Sequence, residues 1–303
     1  MYKYKLCLML FFLTTGYSNE APNHISILTS IRPVHSLVNA VIGESSTPGL
    51  LLSAQQSPHH LTLKPSQIKQ IQDADIIFMI DPSFETFMTK PLQSKNPKTK
   101  VIYLEEAPGI SKLSYRQSQA WHSHEDHHHD GPVDGHIWLD PDNAKAMVQT
   151  IANILSNANP NKRHLYQQNA KNYIKKINDL NTEIQLQLFP VKHVPFLVFH
   201  DGYQYFEHSF GLNGQGSIVF EPNDSLKASR LQAIDRQIKT HQIHCVFQDT
   251  PGNPRIIQMI ELNFKINTQV LDPLGINLSP GPNLYLNLLK NMSNDMLKCL
   301  STS

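Results

Sequence analysis

The sequence has little glycine, little cysteine, almost no net charge and no long apolar segment. Its 303 residues include 13 Gly and 3 Cys, and 26 Lys and Arg nearly balance 25 Asp and Glu. The few glycines form no dinucleotide turn, phosphate loop or serine-nucleophile elbow. A net charge of +1 gives no overall field that would attract nucleic acid or an anionic membrane. These absences disfavour nucleotide-dependent enzymes, serine hydrolases and nucleic-acid-binding proteins.

The first 18 residues have the order of a secretory signal peptide. Lys3 and Lys5 precede an apolar run from Leu6 to Leu13, and the small residues Gly16 and Ser18 follow. This run is too short to span a bilayer, which needs about 20 apolar residues. We therefore expect residues 1–18 to be removed, with cleavage near Ser18, and the mature chain to be exported.

Two cysteines, Cys245 and Cys299, remain in the mature chain. An isolated pair in an oxidising compartment is a reasonable disulfide candidate. Two unpaired buried thiols are the alternative that composition leaves open.

Short apolar runs alternate with helical patterns on both sides of one long amphipathic stretch. Strand-like runs occur at residues 25–31, 48–52, 76–80, 101–104, 196–199, 245–247 and 268–271. Alternating strands and helices predict parallel sheets, and apolar residues spaced by three and four after Pro160 predict one helix of about eight turns. We expect an α/β fold with an N-terminal lobe (19–158), a linking helix (159–190) and a C-terminal lobe (191–303). The helix could instead belong to one lobe.

Histidine is the one residue type in conspicuous excess, with 16 copies. Three of them, His59, His136 and His200, lie in loop-like contexts at or beside apolar strand runs. Ligands of open α/β sheets collect at the carboxyl ends of strands, which suits His59 and His200 better than His136. Three neutral imidazoles from two lobes would form a zinc site with a fourth position for water or a carboxylate. Spacing alone supports this triad weakly, because most single histidines have no metal.

A second group of histidines occupies a polar loop at residues 122–135. Its members are His122, His124, His127, His128 and His129. The stretch from His124 to His128 matches H-E-x-x-H, the zinc-protease motif, but the adjacent acids and Gly131-Pro132 argue against the helix that this chemistry requires. We expect an auxiliary, low-affinity metal-binding loop. A solvated loop without function is the alternative.

The sequence resembles the zinc-binding solute receptors of bacterial ABC importers, because several motifs of that family occur here in the same order. They are Ser57-Pro58-His59, Leu63-Lys64-Pro65-Ser66, the His-rich loop, His136-Ile137-Trp138-Leu139, Phe199-His200-Asp201 and Leu271-Asp272-Pro273-Leu274-Gly275. The resemblance covers nearly all of the mature chain. It implies two Rossmann-like α/β lobes joined by a rigid helix, with the metal in the cleft between them, and it pairs Cys245 with Cys299.

The resemblance also implies the ligands and the metal. Three of the metal ligands would be His59, His136 and His200, and Asp272 or a water would occupy the fourth coordination position. Manganese-binding relatives typically carry Glu where this chain has His200, so zinc is favoured. Asp201 would orient an imidazole, or else serve as a surface or capping residue.

These observations predict a periplasmic receptor that passes Zn²⁺ to a membrane permease driven by a cytoplasmic ATPase. We expect a monomer without catalytic turnover and without nucleic acid as a partner. The alternatives are a manganese receptor of the same fold, a secreted zinc enzyme using His124, Glu125 and His128, and an exported adhesion protein with structural zinc.

Overall fold

Two parallel four-stranded sheets form the framework of the protein. The computed structural model describes residues 25–52, 61–116, 132–219, 228–250 and 254–302. The first sheet has the order β2-β1-β3-β4, and its strands are β1 (Ile27–Thr29), β2 (Gly49–Leu50), β3 (Ile76–Met79) and β4 (Lys100–Tyr103). The second has the order β6-β5-β7-β8, and its strands are β5 (Phe196–Val198), β6 (Gly214–Ser217), β7 (Cys245–Asp249) and β8 (Asn267–Leu271).

Eight α-helices are present in the part of the chain that the structure describes. They are α1 (Arg32–Ile42), α2 (Pro65–Asp73), α3 (Pro141–Ala158), α4 (Arg163–Leu188), α5 (Gln204–Phe210), α6 (Ala228–His241), α7 (Pro254–Phe264) and α8 (Leu284–Leu300). Proline occupies the first turn of α1, α2 and α3, where its missing N–H costs no helical hydrogen bond.

The sheets are parallel because helices cover their faces. Strand β3 is apolar and buried at every position, as expected for a strand enclosed on both sides. Helix α4 is the predicted long helix, and the apolar positions spaced by three and four along it are buried against α1, α3 and α8. The predicted fold class, two α/β lobes with a long helix between their sheets, is thereby confirmed.

The connection from β8 to α8 attaches the second lobe to the first. Trp138 Nε1 donates to the carbonyl of Pro273 at 2.8 Å, and Tyr285 Oη donates to the carbonyl of Trp138 at 2.8 Å. Arg32 Nε donates to Gly275 O at 2.9 Å. One continuous apolar core includes residues from both lobes, so packing and hydrogen bonds join the sheets in addition to α4.

Further predictions concern one apolar run, the disulfide and the signal peptide. The apolar run Ile137–Leu139, grouped above with the strand runs because it lies beside His136, is a 3₁₀ turn, because Asp140 caps α3 immediately afterwards and its carboxylate accepts the amides of Asp142 and Asn143. The expected disulfide joins Cys245 to Cys299. No helix among the described residues is long and apolar enough to cross a membrane. The predicted signal peptide, residues 1–18, lies outside the described residues.

Candidate metal site

His200 projects from the carboxyl end of β5 and is held by a carboxylate from the neighbouring strand. Its side chain is buried, and its Nδ1 lies 2.6 Å from Asp249 Oδ2 at the end of β7. Strands β5 and β7 pair in parallel, so their carboxyl ends are adjacent. An ionised carboxylate only accepts hydrogen bonds, so Nδ1 carries the proton and Nε2 is the nitrogen that a metal would contact.

Tyr203 fixes the other oxygen of the same carboxylate. Its hydroxyl donates a short hydrogen bond to Asp249 Oδ1. Burial, reinforced by the adjacent Asp249 carboxylate, raises the pKa of Tyr203 well above its usual range, so the hydroxyl remains a donor. His200, Asp249 and Tyr203 therefore form a buried chain of hydrogen bonds that sets the orientation of one imidazole.

His136 is held in a comparable way by the first lobe. It is 3% exposed, and its Nδ1 lies 2.7 Å from Asp134 Oδ1, which also accepts the backbone N–H of His136 at 3.0 Å. Asp134 thus fixes both the ring and the main chain of His136. As at His200, the hydrogen bond occupies Nδ1, so Nε2 is the nitrogen that a metal would contact.

An apolar wall packs against the His136 ring. The Phe84 ring lies edge-on to His136 with a centroid distance of 5.0 Å and edge-on to Trp138 at 5.5 Å. A Cβ at Gly135 would approach the Phe84 side chain to 2.3 Å, so only glycine fits there. This packing excludes water from one side of His136 and restricts its rotation.

The two histidines converge from opposite lobes. Their ring centroids are 5.5 Å apart. A Cβ added to Gly202 would lie 2.4 Å from His200 Nε2 and 3.2 Å from His136 Nε2, so both Nε2 atoms lie close to the same point beside Gly202. Because Gly202 has no side chain, no Cβ crowds the two Nε2 atoms. Two neutral nitrogen donors suit zinc better than the oxygen-seeking Mg²⁺, Ca²⁺ or Mn²⁺.

The predicted third and fourth ligands have different outcomes. His59 lies outside the described residues, as do the loop histidines 122, 124, 127, 128 and 129. Within the described residues no group of three or more His, Cys, Asp or Glu is arranged to hold a metal, so His136 and His200 are a pair there. Asp272 Oδ1 accepts the amide of Ile276 at 2.9 Å and Oδ2 accepts that of Asn277 at 3.1 Å. Asp272 as a ligand remains a prediction, and it would have to share an oxygen with this turn.

Sequence reasoning missed the two carboxylates that orient the histidines. The partner of His200 Nδ1 is Asp249, whereas Asp201, the residue expected to orient an imidazole, accepts a hydrogen bond from Arg116 Nη1 at 3.2 Å. Asp134 stands two residues before His136, and Asp249 lies two residues beyond the predicted strand 245–247, much as His200 follows the run 196–199. Those positions are the signals that could have identified both.

Several known proteins are similar to this chain over most of its length. The family model described as "Zinc-uptake complex component A periplasmic" matches residues 27–299. A "High-affinity zinc uptake system protein ZnuA" of Brucella suis biovar 1 (strain 1330) is 36% identical over 315 residues, covering 94% of this chain and 94% of its own. The protein of the same name from Yersinia pestis is 29% identical, with 91% of each chain covered.

Solved structures show the same fold. The structure described as "Crystal structure of ZnuA" has a TM-score of 0.78 at 23% identity and covers 92% of this chain and 100% of its own. A Mn-bound periplasmic metal binding protein from Candidatus Liberibacter asiaticus has a TM-score of 0.76 at 19% identity, covering 91% and 100%. Because relatives described with different metals share the architecture, the fold alone does not select the ion.

Proposed function

Because the chain belongs to the family of periplasmic zinc-uptake component A proteins, we propose that it is a zinc receptor. In the periplasm it would bind Zn²⁺ tightly, as a monomer, and deliver the ion to a permease driven by a cytoplasmic ATPase. The observation that carries this proposal is the convergence of His136 Nε2 and His200 Nε2 beside Gly202. Each imidazole has a carboxylate on its other nitrogen.

This arrangement supports reversible binding without turnover. The two orienting carboxylates, Asp134 and Asp249, hold the imidazole rings in place before the metal arrives. Binding therefore requires little rearrangement of His136 and His200. His59 would supply a third nitrogen, and Asp272 or water would complete a four-coordinate site.

The nitrogen donors favour zinc over manganese. Imidazole suits Zn²⁺, whereas Mn²⁺ prefers sites rich in carboxylate and water. The relatives at 36% and 29% identity are named for zinc uptake, which supports the same choice.

The His-rich loop would be an auxiliary site in this scheme. Its flanking segments are joined at the base, where the amide of Tyr115 donates to Pro132 O at 3.0 Å and the amide of Asp134 donates to Leu113 O at 2.8 Å. Histidines 122, 124, 127, 128 and 129 therefore belong to a loop that starts and ends close to His136. We propose that they collect zinc weakly and supply the main site.

Metal competition on the mature chain tests the function. The protein is stripped with a chelator, and Zn²⁺ and Mn²⁺ are titrated against a chromophoric chelator, with and without residues 122–130. We expect one tight Zn²⁺ site in both proteins and much weaker Mn²⁺ binding. Tighter binding of Mn²⁺ would favour a manganese receptor. Loss of the tight zinc site with the loop, together with hydrolytic activity of the intact chain, would favour the metalloenzyme reading.

A further inference from the structure

Arg116 links the two lobes immediately beside the histidine pair. It ends the segment 113–116 of the first lobe, which runs antiparallel to residues 132–134 through a bridge between Ser114 and Val133. The hydrogen bonds between Leu113 and Asp134 and between Tyr115 and Pro132 tie these two segments together. Arg116 therefore moves with the segment that carries Asp134 and His136.

The guanidinium group of Arg116 extends into the second lobe. Nη1 lies 3.2 Å from Asp201 Oδ1, and Nη2 lies 2.8 Å from Glu207 Oε2 on α5. The Arg116 side chain is 20% exposed, and those of Asp201 and Glu207 are 11% and 5% exposed. Since water screens these charges poorly, the contacts are stronger than those of surface ion pairs.

A neutral hydrogen bond reinforces the link. The amide of Leu113 donates to Tyr205 Oη on α5 at 2.9 Å, and both groups are buried. Segment 113–116 is thus joined to the second lobe at Asp201, Tyr205 and Glu207. Of these, Asp201 directly follows His200 in the chain.

The charges explain why an arginine is needed at this position. Burial lowers the pKa of Arg116, but the carboxylates of Glu207 and Asp201 more than offset this and raise it. A planar guanidinium can donate to two carboxylates at once, whereas a lysine ammonium is a single point charge on a flexible stem.

We propose that Arg116 is a positioning residue that sets the spacing of His136 and His200 and thereby slows the release of zinc. It holds the Asp134–His136 segment of one lobe against the His200–Asp201 segment of the other. Without this clamp the two imidazoles remain oriented by their own carboxylates, but the distance between them is less well fixed. The inference rests on the proposed function, because it assigns Arg116 a role in holding that metal.

The test uses Arg116→Lys in the full mature chain, with Glu207→Gln as a second variant that leaves Arg116 in place. Release of Zn²⁺ to excess chelator is followed by stopped flow. The Co²⁺-loaded proteins are compared by visible absorption, which reports ligand geometry. We expect zinc release about 10-fold faster in both variants, within the range for residues that support metal ligands indirectly. We also expect an altered Co²⁺ spectrum.

Lys112→Gln is the matched control. Lys112 belongs to the chain just before the same segment and pairs with Glu105 at 2.8 Å, but this contact stays within the first lobe. The Lys112→Gln substitution should lower stability slightly and leave zinc release and the Co²⁺ spectrum unchanged. Equal acceleration in Lys112→Gln would overturn the proposal, because general loosening of the segment would then explain the effect.

The outcomes separate this inference from the proposed function. If the unaltered chain does not bind Zn²⁺ tightly, the receptor assignment fails, and the role of Arg116 in retaining zinc fails with it. If the unaltered chain binds tightly and Arg116→Lys and Glu207→Gln change only the melting temperature, the receptor assignment stands and the clamp is refuted. Faster release with a changed Co²⁺ spectrum in both variants supports it.

Discussion

The two lobes orient their histidines by different means. In the first lobe the carboxylate of Asp134 stands two residues from His136 and binds both its ring and its amide. In the second lobe the carboxylate of Asp249 comes from another strand, 49 residues away from His200, and is itself held by Tyr203. The first arrangement is a local turn, whereas the second exists only when β5 and β7 pair correctly.

This difference predicts where each half of the site is vulnerable. The His136 half depends on a short segment and on the Phe84 wall. The His200 half depends on the second sheet, in which the disulfide between Cys245 and Cys299 fastens the first residue of β7 to α8. Damage to the second sheet should therefore reach His200 through Asp249 and leave His136 oriented.

Removing either imidazole should have the largest effect. His136→Ala and His200→Ala each delete one nitrogen ligand, and we expect zinc affinity to fall at least 100-fold in both, on the order of 3 kcal/mol or more. Isothermal titration with a competing chelator measures the loss. His193→Ala is the control, since His193 is exposed and precedes β5, whereas His200 follows it. Unchanged affinity in both ligand variants would refute the site.

Removing the orienting carboxylates should distinguish the halves. Asp134→Asn and Asp249→Asn can no longer anchor a protonated Nδ1 as a charged acceptor, and we expect zinc affinity to fall about 10-fold to 100-fold. The loss should be greater for Asp249→Asn because Tyr203 also loses its acceptor. Competition titration gives both affinities. A greater loss for Asp134→Asn would mean that the local turn, not the sheet, is the more sensitive half.

Deleting the Tyr203 hydroxyl should weaken the second half more mildly. In Tyr203→Phe the Asp249 carboxylate keeps His200 and loses one buried donor, so we expect a drop in zinc affinity of about 3-fold, or roughly 0.7 kcal/mol. The control is Tyr173→Phe on α4, whose hydroxyl donates to the carbonyl of Pro282 at 2.7 Å and does not contact Asp249. If Tyr203→Phe lost as much zinc affinity as Asp249→Asn, the hydroxyl itself would be the essential group.

The sequence predicted the central strands and the histidines better than it predicted their surroundings. Apolar runs identified β3 and β5 because buried parallel strands are continuously apolar. Strand β6, Gly-Gln-Gly-Ser, carries no such signal and forms because its backbone pairs with β5 at the sheet edge. Helix α8 has a buried residue every four positions at Leu284, Leu288, Met292 and Met296. This helical pattern was present in the sequence, but the helix was not predicted.

The same distinction applies within the site. His200 could be selected because it follows an apolar strand. The partner of its Nδ1 could not be selected, because Asp201 and Asp249 are both near strand ends and only the pairing of β5 with β7 decides between them. Arg116 carried no sequence signal at all, since its partners are 85 and 91 residues away.

Glu85 allows the smallest and most selective test of the first half. Its carboxylate lies beneath the loop that carries Phe84, where Oε2 accepts the amides of Ile80 at 2.7 Å and Asp81 at 3.2 Å. Burial raises its pKa from 4.5 to about 8, against the opposing hydrogen bonds. Between these values the folded chain holds a proton that the unfolded chain has lost. This contribution to the free energy of unfolding therefore falls by about 1.4 kcal/mol per pH unit from about pH 5 to about pH 8.

Glu85→Gln should remove that slope and leave the metal site intact. The glutamine oxygen can accept both amides and the side chain is neutral at every pH, so the stability of the variant relative to the unaltered chain should rise steadily across this window. Denaturant unfolding of the metal-free proteins at several pH values measures the difference. Zinc affinity should change less than 2-fold, because Asp134 still orients His136 and the substitution leaves the Phe84 side chain in place. If the free energies of unfolding of the two proteins changed in parallel with pH, Glu85 would be ionised in the folded protein. A large loss of zinc affinity would show that the orientation of His136 does not depend on the local turn at Asp134 alone.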